Sequence, residues 1–219
     1  MNLQRLARVA CLTLSFSTFV LAQKIPQDPS QPTLPPQPGV LQSTLTAKQL
    51  TTGQKFGVRV VQQFGLRGFA GAAVGAGISQ WNNTPPEWGQ GWDAYGARYG
   101  SAFGVTLSRQ VFAFGLESAL HEDPRYFPSS EKGFGPRIKN VLKQALISKK
   151  DDGSATFAYS RVISAFGAGQ LANSWQPKSN NSVGDGLERG ALILLGDAGF
   201  FALQEFVPFT RNTIFRRHR

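Results

Sequence analysis

Glycine returns at every fourth position in Gly96, Gly100 and Gly104, inside the stretch 92–127 (WDAYGARYGSAFGVTLSRQVFAFGLESALHEDPRYF), and this spacing restricts the fold more than any other feature of the chain. On an α-helix the repeat aligns the glycines on one face and opens a groove where a second backbone can approach closely. Phe103, Leu107, Val111, Phe112, Phe114 and Leu116 cover most of the remaining circumference, the pattern of a helix at the centre of its fold. The helix should stop before Asp123-Pro124, because a residue ahead of proline is pushed out of the helical region and proline lacks the donor the next turn needs.

The same device recurs on both sides of that stretch. Gly71 and Gly75 repeat the spacing, as do Ser160, Ser164, Ala168 and Ala172. Phe56, Val60 and Phe64 stand at i, i+4 and i+8 within a helical pattern running from Thr46 to Trp81. Residues 136–150 (PRIKNVLKQALISKK) predict an amphipathic helix with Pro136 in its first turn, an apolar face at Ile138, Val141, Leu142 and Leu146, and a basic face at Arg137, Lys139, Lys143, Lys149 and Lys150. Residues 151–153 (DDG) read as a turn, followed by helices over 157–175 and 187–206, the last ended by Pro208. The fold class these patterns predict is all-α, a single helical domain packed through Gly/Ala-spaced faces. The rival is a small outer-membrane β-barrel, which richness in Phe, Gly, Tyr and Trp would suit. Ala-rich runs, leucine content and the absence of regular ten-residue alternation favour helices.

Residues 1–22 carry Arg5 and Arg8, a short apolar run, and Val20 and Ala22 at the −3 and −1 positions of a small-residue cleavage site, which predicts an export signal. Cys11 lies inside it, and Arg8 stands where a lipoprotein acylation box would carry an aliphatic residue. Removing the signal removes the one cysteine, which excludes disulfides, thiol nucleophiles and thiolate metal sites together. Residues 23–45 read as a disordered Pro-rich linker, with six prolines between 24 and 40, followed by a helical domain over 46–210 and a basic tail over 211–219. Taking Arg5 and Arg8 from the 23 basic residues leaves 21 against 13 acidic ones. A basic exported chain suits anionic lipid or an anionic envelope polymer. No nucleic-acid partner is expected, and the small-residue helix faces would suit a homo-oligomer. The uncharged run 68–80 invites a membrane reading, but it covers only about two-thirds of a spanning length and is dominated by Gly and Ala.

No complete catalytic constellation is present. Glu117 and His121 are four residues apart on one predicted helix face, with Glu122 and Asp123 adjacent, so His121 with Glu117 or Asp123 is the candidate general acid–base pair. Ser101 in YGSAFG falls inside a helix rather than on a nucleophile elbow, and GAAVGAG lacks the lysine of a phosphate loop. With His218 as the only other histidine, no metal site and no cofactor are expected. Asp197 is isolated in ILLGDAGFF, and burying it requires a cation from another helix, with Arg98, Arg109 and Arg161 as candidates. Glu117, Glu122 and Asp123 crowd a helix C-terminus, where the dipole disfavours negative charge, so Arg125 and Arg161 are expected to pair with Glu117 or Asp123. Arg125, Arg137, Lys139 and Lys143 are the candidate binding residues for an anionic surface. The expected function is a non-enzymatic exported protein of the periplasm or cell envelope, associating peripherally with membrane or anionic polymer. The alternative is a hydrolase of an envelope substrate using His121.

HEDPRYF at 121–127, the loop toward Arg137, and FAYSR at 157–161 resemble a pattern of uncharacterised exported bacterial proteins, over roughly residues 88–206. The resemblance implies a bacterial envelope location and supplies no activity, cofactor or catalytic residue; association with the outer membrane is one form the expected envelope location could take.

Overall fold

The chain divides into Met1–Lys48 and Gln49–Arg219, and the computed structural model describes residues 49–207 of the second unit, apart from residue 132. The expected export signal, the Pro-rich linker and the basic tail lie outside the described residues. Within them the fold is all-α, and no barrel is present: the elements are six α-helices and one two-stranded hairpin.

Helix α1 (Thr52–Phe64) starts at a capping box, in which the Thr51 hydroxyl accepts from the Gln54 amide and the Gln54 side chain returns to the Thr51 amide. The expected continuous helix breaks at Gly65, and α2 (Leu66–Trp81) resumes from it. The 82–91 loop then leads into α3 (Trp92–Leu120), which ends where His121 takes the left-handed conformation at φ 55°. That stop precedes the Asp123-Pro124 boundary as the sequence requires. Helix α4 (Phe134–Leu146) is shorter than the pattern suggested. Residues 147–149 leave the helix as strand β1 (Ile147–Lys149) and pair antiparallel with β2 (Ala155–Phe157) across a turn where Gly153 has φ 86°. Helix α5 (Tyr159–Leu171) runs on into a short 3₁₀ turn, Ala172–Ser174. Helix α6 (Val183–Phe206) begins at a second capping box between Ser182 and Asp185.

The 82–91 and 175–182 connections lie together, where Ser179 bonds Glu87 and Trp175 bonds Ser101, while the hairpin and the segment after α3 gather elsewhere, the Asp123 amide donating to the Lys149 carbonyl oxygen and the Asp151 amide to that of His121. Helix α3 packs against α1, α2 and α5, and α6 packs against α5 and α4. The closest approach is between α5 and α6. A Cβ placed on Gly169 would collide with the Gly186 carbonyl oxygen and stand 2.9 Å from the Gly190 amide nitrogen. Ser164, Ala168 and Ala172 on the same helix are fully buried, so the third predicted small-residue seam is a true helix–helix contact. The stripe on α3 behaves differently. Gly96 and Gly100 are exposed, and a Cβ on either would meet nothing within 4 Å. Only Gly104 has a neighbour, Trp175, at 3.7 Å. The groove expected along 96/100/104 therefore faces outward.

The distribution of polarity is reversed relative to a water-soluble bundle. The interior holds Lys55, Arg59, Gln63, Arg98, Arg109, Glu117, Arg161, Asp197 and Glu205, whereas its apolar members are mostly alanines, with Val105, Tyr126, Val141 and Phe201. Large apolar side chains stand outside: Val61 is 60% exposed, Leu66 86%, Val111 62% and Leu195 60%. Phe56, Val60 and Phe64 do share one face of α1, and that face lies at the edge of the α1–α3 contact, half exposed, with Phe56 against Phe114 and Phe64 against Phe103 at centroid distances of 5.4 and 6.1 Å.

Candidate functional site

The polar interior is assembled from stripes of four-residue spacing. Lys55, Arg59 and Gln63 of α1, continued by Arg67 of α2, point at α3 and α6. Arg59 grips the Glu117 carboxylate with two nitrogens, Nε at 2.9 Å from Oε2 and Nη2 on Oε1, and its Nη1 reaches Gln110 Oε1 at 2.9 Å. One turn away, Lys55 Nζ donates to the Glu117 carbonyl oxygen at 3.2 Å and to Asp151 Oδ2 at 2.8 Å, which ties α1 to the C-terminal end of α3 and to the hairpin turn.

Asp197 of α6 receives a fork from Arg109, Nη1 to Oδ1 at 3.1 Å and Nη2 to Oδ2, and a further bond from Arg67 at 3.2 Å. Arg67 also lies over the Phe200 ring, 3.7 Å from its centroid. Arg161 takes neither carboxylate; its Nη1 donates to the Gln144 and Ala145 carbonyl oxygens at the end of α4, and its guanidinium lies 4.9 Å from the Phe201 centroid. Four arginines thus occupy the interior with two carboxylates.

A second cluster fastens the other end of α6. Glu205 accepts from Tyr126 Oη at 2.6 Å, from the Ser129 amide at 3.1 Å and from Arg137 Nε at 3.1 Å, and Tyr126 stacks on Phe201 with centroids 4.7 Å apart. Glu122, also buried, accepts from Ser160 Oγ at 2.6 Å. Arg98 has no acidic partner; its donors go to the Thr84 and Pro85 carbonyl oxygens, both at 3.0 Å, and to Gln80, so it secures the 82–91 loop.

The candidate acid–base residues are not brought together. His121 ends the helix in a left-handed conformation, which turns it off the Glu117 face; its side chain is 77% exposed and 3.6 Å from Asp151. Glu117 is committed to Arg59, and Asp123 to Arg125, whose Nε lies 2.9 Å from its Oδ1. Of the arginines expected to pair with these acids, Arg125 pairs with Asp123, while Arg161 goes to carbonyls instead. Among the candidate binding residues, Lys139 and Lys143 are exposed, Arg125 is held by Asp123, and Arg137 is held by Glu205. Among the described residues no three His, Cys, Asp or Glu side chains group as a metal site.

Lys55, Arg59, Arg67, Glu205 and Tyr126 were missed as network members. The first three had a signal, because with Gln63 they repeat every fourth residue from 55 to 67 and form a polar line as regular as the apolar one beside it.

The class of protein so defined is an all-α bundle with a charged interior and an apolar exterior. Comparison with protein-family models, with curated proteins and with solved structures finds no match.

Proposed function

We propose that the chain is a non-enzymatic exported protein of the cell envelope that attaches to a membrane through its apolar exterior. The observation that carries this reading is the inverted polarity of the helices: large apolar side chains point outward on all of them, while the charged side chains lie inside, bound to one another or to backbone carbonyl oxygens. Contiguous apolar surface on this scale is a binding surface, since monomers in water rarely tolerate patches beyond a few hundred Å². The basic exposed residues Lys139, Lys143, Lys149 and Lys150 would add attraction to anionic headgroups. Export is supported by the Arg5/Arg8, apolar run and Val20/Ala22 pattern. Flotation of the full chain with vesicles of mixed neutral and anionic phospholipid tests the reading. The protein should rise with the lipid; recovery entirely in the soluble fraction at low ionic strength would reject it.

A further inference from the structure

Four helical rods form the side of the bundle: α1 with α2, α3, α5 with its 3₁₀ turn, and α6. On these rods, among the described residues, Asp93 is the only exposed charged side chain, and it lies in the first turn of α3. Every other charged side chain of the rods is buried or partly covered, Arg67, Asp185, Glu188 and Arg189 being the partly covered ones. A wall so poor in charge on all four rods is more than one partner protein would need, because a partner covers one face and leaves the others to water. A surrounding apolar solvent is needed instead.

The two ends differ in chemistry. Trp81 and Trp92 flank the α2–α3 connection at one end, 79% and 88% exposed, with Trp88 inside that connection and Trp175 further down α3, beside Ser101 and Gly104. The opposite end carries the exposed cations Lys139, Lys143, Lys149 and Lys150, with Glu131 and Asp152 as the exposed acids beside them. Tryptophan at a headgroup boundary, and lysine against anionic headgroups, are the residues that fix a bundle's depth in a bilayer. The lengths agree. Helix α6 has 24 residues and α3 has 29, about 36 and 43 Å at 1.5 Å per residue, against a hydrocarbon layer of about 30 Å and a full bilayer of about 40–45 Å.

Resting on the membrane-attachment reading, we infer that this bundle is seated across a phospholipid bilayer as a polar-cored unit. The tryptophan end lies in one headgroup layer, and the end bearing α4 and the hairpin lies in the other. No helix is long and apolar enough to cross a membrane by its own hydropathy, and the reason is visible in the interior. Hydropathy averages both faces of a helix, whereas Arg109, Glu117 and Asp197 turn away from the wall and find their partners inside. Charged groups in a membrane interior are tolerated when they face the bundle and pair there. The tight α5–α6 contact through Gly169, Gly186 and Gly190 is the small-residue packing that holds helices together where lipid supplies no hydrophobic drive between them.

The test uses the full chain with Cys11→Ser, reconstituted in vesicles of neutral and anionic phospholipid, and carrying one spin label at a time. The positions are Val111→Cys and Leu195→Cys on the wall, and Trp92→Cys and Lys143→Cys at the two ends. All four side chains are exposed, so none of these changes empties the core. The ratio of collision with oxygen to collision with a water-soluble nickel chelate should be several-fold higher at 111 and 195 than at 92 and 143, and alkaline carbonate should leave the protein with the vesicles. Three results overturn the inference: equal ratios at all four positions, release by carbonate, or loss of oxygen access at 111 and 195 with broadening between like labels, which would put a second copy on the wall. If the protein floats with vesicles yet gives any of these, attachment stands and the spanning arrangement falls; if it does not float, both fall.

Discussion

Arg109 of α3 and Asp197 of α6, 88 positions apart, form a two-pronged ion pair inside the bundle, and Arg67 of α2 donates to the same carboxylate at 3.2 Å. Three helices therefore meet on one acid. Asp197→Ala would leave two guanidinium groups facing each other without compensation, and breaking a buried pair on one side costs about 3–5 kcal/mol. Replacing Arg109 and Asp197 together by methionine and leucine should recover much of that loss, because an apolar pair of similar size carries no desolvation penalty. Reversible unfolding of the parent and these two variants in the same detergent checks this. A loss under about 1 kcal/mol for Asp197→Ala, the range of an exposed pair, would contradict it.

Glu117 offers a sharper comparison, since its two nearest arginine candidates differ in contact. Arg59 binds its carboxylate with two nitrogens, while Arg161 is spent on the carbonyl oxygens of Gln144 and Ala145. Double-mutant cycles of Glu117→Gln with Arg59→Gln and with Arg161→Gln should give a coupling of at least about 1 kcal/mol for the first and under about 0.5 kcal/mol for the second. Equal couplings would mean that the interior charges act as one diffuse cluster rather than as defined pairs.

Gly169 of the α5–α6 contact and Gly100 of the predicted α3 stripe should respond with opposite signs. A Cβ at Gly169 runs into the backbone of α6, so Gly169→Ala forces α5 and α6 apart and should cost about 1–3 kcal/mol. At Gly100 a Cβ meets nothing, and alanine is the better helix former by about 1 kcal/mol, so Gly100→Ala should be neutral or stabilising. Melting temperatures of the two variants against the parent chain give the answer directly.

The contrast between those glycines marks how far sequence reasoning reached. Helical period was legible throughout: the Phe56/Val60/Phe64 line and the Ser160/Ser164/Ala168 line both lie on single helix faces. So was the need of Asp197 for a cation from another helix, because no charge stands near it in sequence. The identity of that cation was not, since the choice among Arg98, Arg109 and Arg161, and the addition of Arg67, depends on helix packing. Nor was the direction of the faces. A 3.6-residue period separates two sides of a helix without saying which one meets the solvent, and the usual assignment of apolar to inside fails here. The hairpin at 147–157 had a cue that went unused, namely Asp152-Gly153 between short runs containing Ile147 and Thr156. The lysines flanking it extended the basic face of the helical pattern and hid the boundary.

Glu205, in the last turn of α6, makes a prediction of its own. It accepts from Tyr126 Oη at 2.6 Å, from the Ser129 amide at 3.1 Å and from Arg137 Nε at 3.1 Å, so one buried carboxylate fastens α6 to the segment after α3 and to α4. Glu205→Ala would remove the acceptor from all three donors at once and should cost about 3–5 kcal/mol, the range of a buried pair broken on one side. Tyr126→Phe removes one donor and keeps the ring stacked on Phe201, so it should cost only about 1 kcal/mol. Reversible unfolding of the two variants beside the parent checks the order. Equal losses, or a loss under about 1 kcal/mol for Glu205→Ala, would show that this carboxylate does not fasten the end of α6.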